Sequence, residues 1–156
     1  METDIKEIAE DYFSRSDYSI IEYSIRGERG TKVLEIYVDN RDGINIDELV
    51  KINHELDDII EEKIAVNNIS KLVISSPGAE RSFKFIWQLL KHKDRELDIV
   101  MNNDEKLSGL LTLVSEEEGK IGLEVMKKEK GVKKIQKEYR EINFIDIKES
   151  KIKLKF

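Results

Sequence analysis

The sequence predicts an α+β protein of two small domains, an N-terminal αββαβ unit over residues 1–83 and a C-terminal small β-barrel over residues 84–156. Three observations carry this reading. Helical and strand-like periodicities are mixed before residue 81, whereas after it short alternating segments dominate. The charge balance changes sign along the chain. Met1 to Ser82 holds 10 Lys and Arg against 19 Asp and Glu, and Phe83 to Phe156 holds 17 against 14. Pro77, the only proline, stands close to the change and is followed at once by Gly78.

In the first domain, Ile5, Ile8, Tyr12 and Phe13 recur at helical spacing, which predicts a helix over residues 3–14 with Thr3 as its N-cap. Ile21, Tyr23 and Ile25 alternate with polar residues in a strand from Tyr18 to Ile25. A second strand runs from Val33 to Asp39, with Arg26–Gly30 as the hairpin loop. DNRDG, Asp39 to Gly43, reads as a turn. It leads into a helix from Ile46 to Lys63, capped by Asn45 with Glu48 completing a capping-box-like pair. Leu49, Ile52, Leu56, Ile59 and Ile60 form that helix's apolar stripe, and Leu72–Ser75 is a short strand. In Ser76-Pro77-Gly78-Ala79 the proline ends strand pairing and the glycine suits the positive φ of a type II turn, so the first domain is left through a stiff turn.

In the second domain, Phe83, Ile86, Trp87 and Leu90 make one short helical face. Strands follow near Glu96–Met101, Lys106–Ser115, Lys120–Met126, Lys133–Glu141 and Ile152–Phe156, a spacing that predicts a small barrel. The segment Met126 to Arg140, MKKEKGVKKIQKEYR, carries seven basic and two acidic residues and is a candidate surface for phosphate groups.

Composition narrows the function. The absence of cysteine excludes disulfides, thiolate metal sites and cysteine nucleophiles. No apolar run reaches membrane-spanning length, and METDIKEIAEDYF lacks the basic start and apolar middle of a secretory signal, so the cytoplasm is expected. A net charge of −6 argues against nucleic-acid binding over the whole surface. His54 and His92 lie far apart in sequence without acidic neighbours at ligand spacing, which leaves no metal site and no general base for a serine triad. Gly27-Glu28-Arg29-Gly30 spells the GxxG of an RNA-clamping KH loop, but it joins strands where that loop joins helices. VDNRDGINIDEL places Val38 and Leu49 where a calcium loop needs its first and last ligands. There is no Gly-rich phosphate loop followed by Lys-Ser/Thr. The residues give no catalytic set, no cofactor and no metal.

LVISSPGAER, residues 72–81, resembles the V-S-S-P-G-[hydrophobic]-[DE]-R-P-L stretch of the RimP ribosome maturation factors. Ser19 to Leu49 is similar to that family's hairpin and helix start. Arg95-Glu96-Leu97-Asp98-Ile99 is similar to the start of its C-terminal barrel, and Ile142 to Ile147 to its closing I-x-F-x-D-I element. The chain departs from the pattern at Arg81-Ser82-Phe83, where Arg-Pro-Leu is usual, and at Asp94, where a glycine usually precedes the first barrel strand. The resemblance implies a KH-like αββαβ domain followed by an SH3-like (Sm-like) barrel. It also implies a non-catalytic monomeric factor that binds the small ribosomal subunit during assembly, touching ribosomal protein and ribosomal RNA, with no membrane partner. The candidate contacts are Ser76, Pro77, Gly78, Glu80 and Arg81 at the turn, and Lys127, Lys128, Lys130, Lys133, Lys134 and Lys137 in the basic stretch. Two other classes compete: a stand-alone RNA-binding regulator, whose mark would be affinity for free single-stranded RNA, and an enzyme with an acidic site at Asp39–Asp47, whose mark would be metal-dependent hydrolysis.

Overall fold

The computed structural model describes residues 2–28, 31–64, 71–78, 81–127 and 136–154. It is an α+β structure that divides into two compact units, Met1–Pro77 and Gly78–Phe156. The division falls at the Pro77-Gly78 step, six residues before the 83/84 boundary read from the sequence. Ser82 and Phe83 bond within the second unit: the Ser82 hydroxyl accepts from the Ser150 amide at 3.0 Å, and the Phe83 amide donates to the Ser150 carbonyl at 2.9 Å.

The first unit runs α1 (Glu2–Ser14), β1 (Ser19–Glu28), β2 (Thr31–Asp39), α2 (Ile46–Lys63) and β3 (Lys71–Ser75). Its sheet has the order β1-β2-β3, with β1 antiparallel and β3 parallel to β2. Parallel neighbours need a crossover, and α2 supplies it. The α1 stripe is centred on Ile5, Ala9 and Phe13, each four residues from the next. It meets Leu49, Ile52, Leu56 and Ile60 of α2, with Leu34, Ile36, Val38, Leu72 and Ile74 of the sheet beneath. Ile59, expected in that stripe, is only half-buried.

Three local expectations are corrected here. Helix α1 begins at Glu2, so Thr3 lies inside its first turn instead of capping it. The hairpin is tighter than Arg26–Gly30, because Arg26 and Gly27 are still in the ladder, opposite Val33 and Lys32. Asn45 does cap α2, its side-chain oxygen accepting from Asp47 and Glu48 amides at 2.9 and 3.3 Å. The return half of the capping box is made by a tyrosine, however. The Asn45 amide faces the Tyr18 hydroxyl at 3.5 Å, and that hydroxyl donates to Glu48 at 2.6 Å.

β3 is an edge strand, and its outer edge would leave backbone groups unpaired. Asn53 of α2 closes it. Its amide nitrogen donates to the Leu72 carbonyl at 3.2 Å, and its oxygen accepts from the Ile74 amide at 2.9 Å. One carboxamide thus takes the place of a neighbouring strand at this point.

The second unit holds a 3-10 helix (Ile86–His92), β4 (Glu96–Met101), β5 (Lys106–Ser115), β6 (Lys120–Lys127), β7 (Gln136–Asn143), a 3-10 turn (Phe144–Asp146) and β8 (Ile147–Ile152). The order is β7-β6-β5-β4-β8, with antiparallel neighbours throughout. Among the described residues β7 and β8 do not pair, so the expected barrel is an open five-stranded sheet in its hydrogen bonding. Leu89, Leu97, Ile99, Leu111, Ile121, Leu123, Val125 and Ile142 form its core. The last strand is Ile147–Ile152 and not Ile152–Phe156. It is selected by its ladder to β4, since only Ser150 on it is fully buried and apolar alternation gives little signal. Asp94 takes φ 73°, the left-handed region that glycine enters most easily, which explains physically why a glycine suits this position.

The Asn53 clamp gives a direct test. Asn53→Ala removes both partners of the β3 edge at once, and an unmet backbone group costs about 1–3 kcal/mol. Urea unfolding is expected to show a loss of that size, whereas Lys51→Ala, which removes only an exposed pair with Glu55, shifts stability by at most about 0.5 kcal/mol.

Candidate partner-binding site

The end of β3 is fixed before the chain reaches the Pro77 turn. The Ser75 hydroxyl donates to Glu35 of β2 at 2.6 Å, and the Arg26 guanidinium of β1 pairs with the same carboxylate. Alternation along each strand puts these groups on the sheet face away from the helices, because Leu34, Ile36, Leu72 and Ile74 take the other face. Burial alone would raise the pKa of Glu35. Hydrogen bonds from Ser75, Arg26 and Tyr37, with the charge of Arg26, outweigh it and lower the pKa below the ordinary carboxylate value.

Beyond this anchor Ser76 is exposed and Pro77 is half-buried. Gly78 is exposed with φ 64°, the positive value demanded at the third position of the expected turn. A Cβ built on Gly78 meets nothing within 4 Å, so the constraint there is backbone conformation and not space. Ala79 and Glu80 lie outside the described residues. Arg81 is half-buried and has an interaction within the chain.

The basic stretch falls on the β6–β7 connection. Lys127 closes β6 opposite Gln136, and Lys137 lies in β7 opposite Met126. Lys128, Lys130, Lys133 and Lys134 lie outside the described residues, and of Lys127 only the backbone is described. Lys137 is exposed, with its ammonium 3.3 Å from Glu124. An exposed pair of this kind contributes about 0–1 kcal/mol, so a phosphate can replace the glutamate at little expense. The turn residues and Lys137 are thus placed on separate elements.

Two residues that matter for this geometry give almost no sequence signal. Asn53 reads as one more polar residue on α2, and its role depends on a strand edge about twenty residues on. Gln88 reads as the polar interruption of an apolar helix, yet it is fully buried. Its side-chain oxygen accepts from both the Lys84 and Phe85 amides, at 2.8 and 2.9 Å. Among the described residues no group of three or more His, Asp or Glu side chains is arranged to hold a metal ion. No described helix is long and apolar enough to cross a membrane.

The geometry defines an α+β protein whose first sheet delivers a rigid strand end into a Pro-Gly turn. Residues 8–80, from the middle of α1 through the SSPG turn, match the family model described as the RimP N-terminal domain. The chain's first unit is therefore similar to the N-terminal domain of the RimP family, a family of ribosome maturation factors.

The Glu35 cluster predicts a pH dependence with a definite sign. A carboxyl whose folded pKa is lowered adds stability that is complete above its unfolded pKa, near 4.5, and is lost as the pH falls through the lowered value. Urea midpoints measured from pH 6 to pH 3 are expected to fall more steeply in the wild type than in Glu35→Gln. Parallel curves would remove Glu35 from the anchor.

Proposed function

We propose that the protein is a non-catalytic maturation factor that binds the small ribosomal subunit and assists its assembly. The observation that carries this reading is the match of residues 8–80 to the RimP N-terminal domain, which ends on the SSPG turn. The factor binds one assembly conformation more tightly than others and so raises its population, a task that needs no chemistry of its own. The second unit is read as the family's SH3-like barrel. Its strand order, with a 3-10 turn just before the last strand, supports that reading. The first unit's αββαβ order supports the KH-like description. The protein works in the cytoplasm as a monomer.

Two surfaces make the contacts. The turn residues Ser76, Pro77, Gly78, Glu80 and Arg81 meet ribosomal protein or RNA through a stiff backbone, and the planar fork of Arg81 grips a carboxylate or phosphate with two bonds. The lysines at the β6–β7 connection track the RNA backbone. Their charge is concentrated in a chain whose net charge is −6.

Sedimentation of ribosomal particles with the protein followed by blot tests this reading, and migration with the small subunit is the expected result. Arg81→Ala is expected to weaken that association while moving the unfolding midpoint little, with Arg81→Lys recovering only part of it. Strong destabilisation with normal binding by the folded fraction would make Arg81 a structural residue. Replacing Lys128, Lys130 and Lys133 together by glutamate is expected to lower affinity and to flatten its salt dependence by about two to three in log–log slope. An unchanged slope would leave the stretch as a solvated edge.

A further inference from the structure

The segment just after the Pro77 turn is fixed in place more firmly than a linker requires. Gln88, fully buried, holds the amides of Lys84 and Phe85 through one side-chain oxygen. Held this way, Phe85 is 37% exposed and lies against Trp87 with ring centroids 5.9 Å apart and planes only 8° from parallel. The ammonium of Lys84 stands 5.7 Å from the Phe85 ring centre. The run from Arg81 to Arg95 carries five cationic side chains, Arg81, Lys84, Lys91, Lys93 and Arg95, against the single carboxylate of Asp94. Lys84 also borders a groove of about 540 Å³ whose lining includes Ile86, Glu118, Asn143, Phe144 and Ile145.

From this arrangement we infer that Phe85, backed by Trp87 and flanked by Lys84, is a stacking platform for an unpaired base of single-stranded RNA. An aromatic ring held flat at a surface presents the π-face that every nucleobase can cover, and bases stack on such rings with little regard to sequence. The buried Gln88 matters because it fixes the Phe85 backbone before RNA arrives, so the ring loses little freedom on binding. Lys84 matters because its exposed ammonium, 5.7 Å from the ring centre, is within reach of the phosphate of a nucleotide stacked there. The adjoining groove has room for the next nucleotide, with Asn143 offering both a donor and an acceptor. Duplex RNA keeps its bases paired and stacked and cannot use the platform. A protein partner is the competing occupant. The excess of cationic over anionic residues in the Arg81–Arg95 run favours RNA.

The inference deepens the proposed function by naming a contact to unpaired RNA, and its test can be separated from that reading. Trp87 is the only tryptophan, so its emission reports on this site alone. The full-length protein is titrated with a single-stranded 12-nucleotide oligoadenylate and with a 12-base-pair RNA duplex. Saturable quenching by the single strand, at least tenfold weaker with the duplex, is expected. Phe85→Leu keeps an apolar side chain but removes the ring, and is expected to weaken single-strand binding about tenfold. Lys84→Glu, an exposed change that leaves the core untouched, is expected to weaken it and to reduce the log–log salt slope by about one. Absence of single-strand binding, binding that leaves Trp87 emission unchanged, or wild-type affinity in both variants would each overturn the inference. Small-subunit sedimentation distinguishes the two failures. Comigration without oligoadenylate binding sinks the stacking site alone, and quenching without comigration sinks the assembly role alone.

Discussion

Two hydrogen bonds from one carboxamide hold the first unit in the form its function needs. β3 has a partner strand on one side only, and Asn53 supplies the other side by bonding the Leu72 carbonyl and the Ile74 amide. The apolar face of β3 would be content with several small displacements along α2. The pair of directed bonds admits one, because donor and acceptor must both align. With β3 in register, Ser75 comes to Glu35, and the chain leaves the sheet in one fixed direction toward Pro77 and Gly78.

Each unit anchors its own end of the connection. Glu35 gathers Ser75, Arg26 and Tyr37, which ties the exit of β3 to both other strands of its sheet. Past the turn, Ser82 and Phe83 are caught by the two backbone groups of Ser150, and Gln88 then grips Lys84 and Phe85. Ser76, Pro77 and Gly78 follow the first of these anchors, and Lys84 and Phe85 lie at the second. Groups fixed in advance lose less entropy when a partner arrives, which suits the binding role proposed for this protein.

Much of this was legible in sequence, for reasons that can be named. Helix α2 announces itself at both ends, by Asn45 before the apolar stripe and Lys63 in the last turn, and its bounds agree with the reading. β4 and β5 alternate clearly between tight turns, and their limits also agree. Local patterns failed where the decisive partner is distant. Tyr18 enters the α2 cap from 30 residues away, and Asn53 looks like solvent-facing polarity until the β3 edge is set beside it. β8 was misplaced because IKESKI is mostly charged and becomes a strand only through β4. The open hydrogen bonding of the second sheet was likewise invisible, since strand spacing predicts strands and not whether the first and last edges meet. The SSPG turn was found because Pro and Gly restrict the backbone directly. What its side chains touch in the proposed function depends on a partner's surface that no pattern within this chain encodes.

A maturation factor that acts by preferential binding must distinguish an immature particle from a finished one. The most direct measurement is the equilibrium affinity of the fluorescently labelled protein for small subunits isolated before and after the completion of assembly, at one salt concentration. The account predicts at least tenfold tighter binding to the immature particles. Equal affinity for the two would contradict it, because a ligand that binds both states alike cannot shift the balance between them.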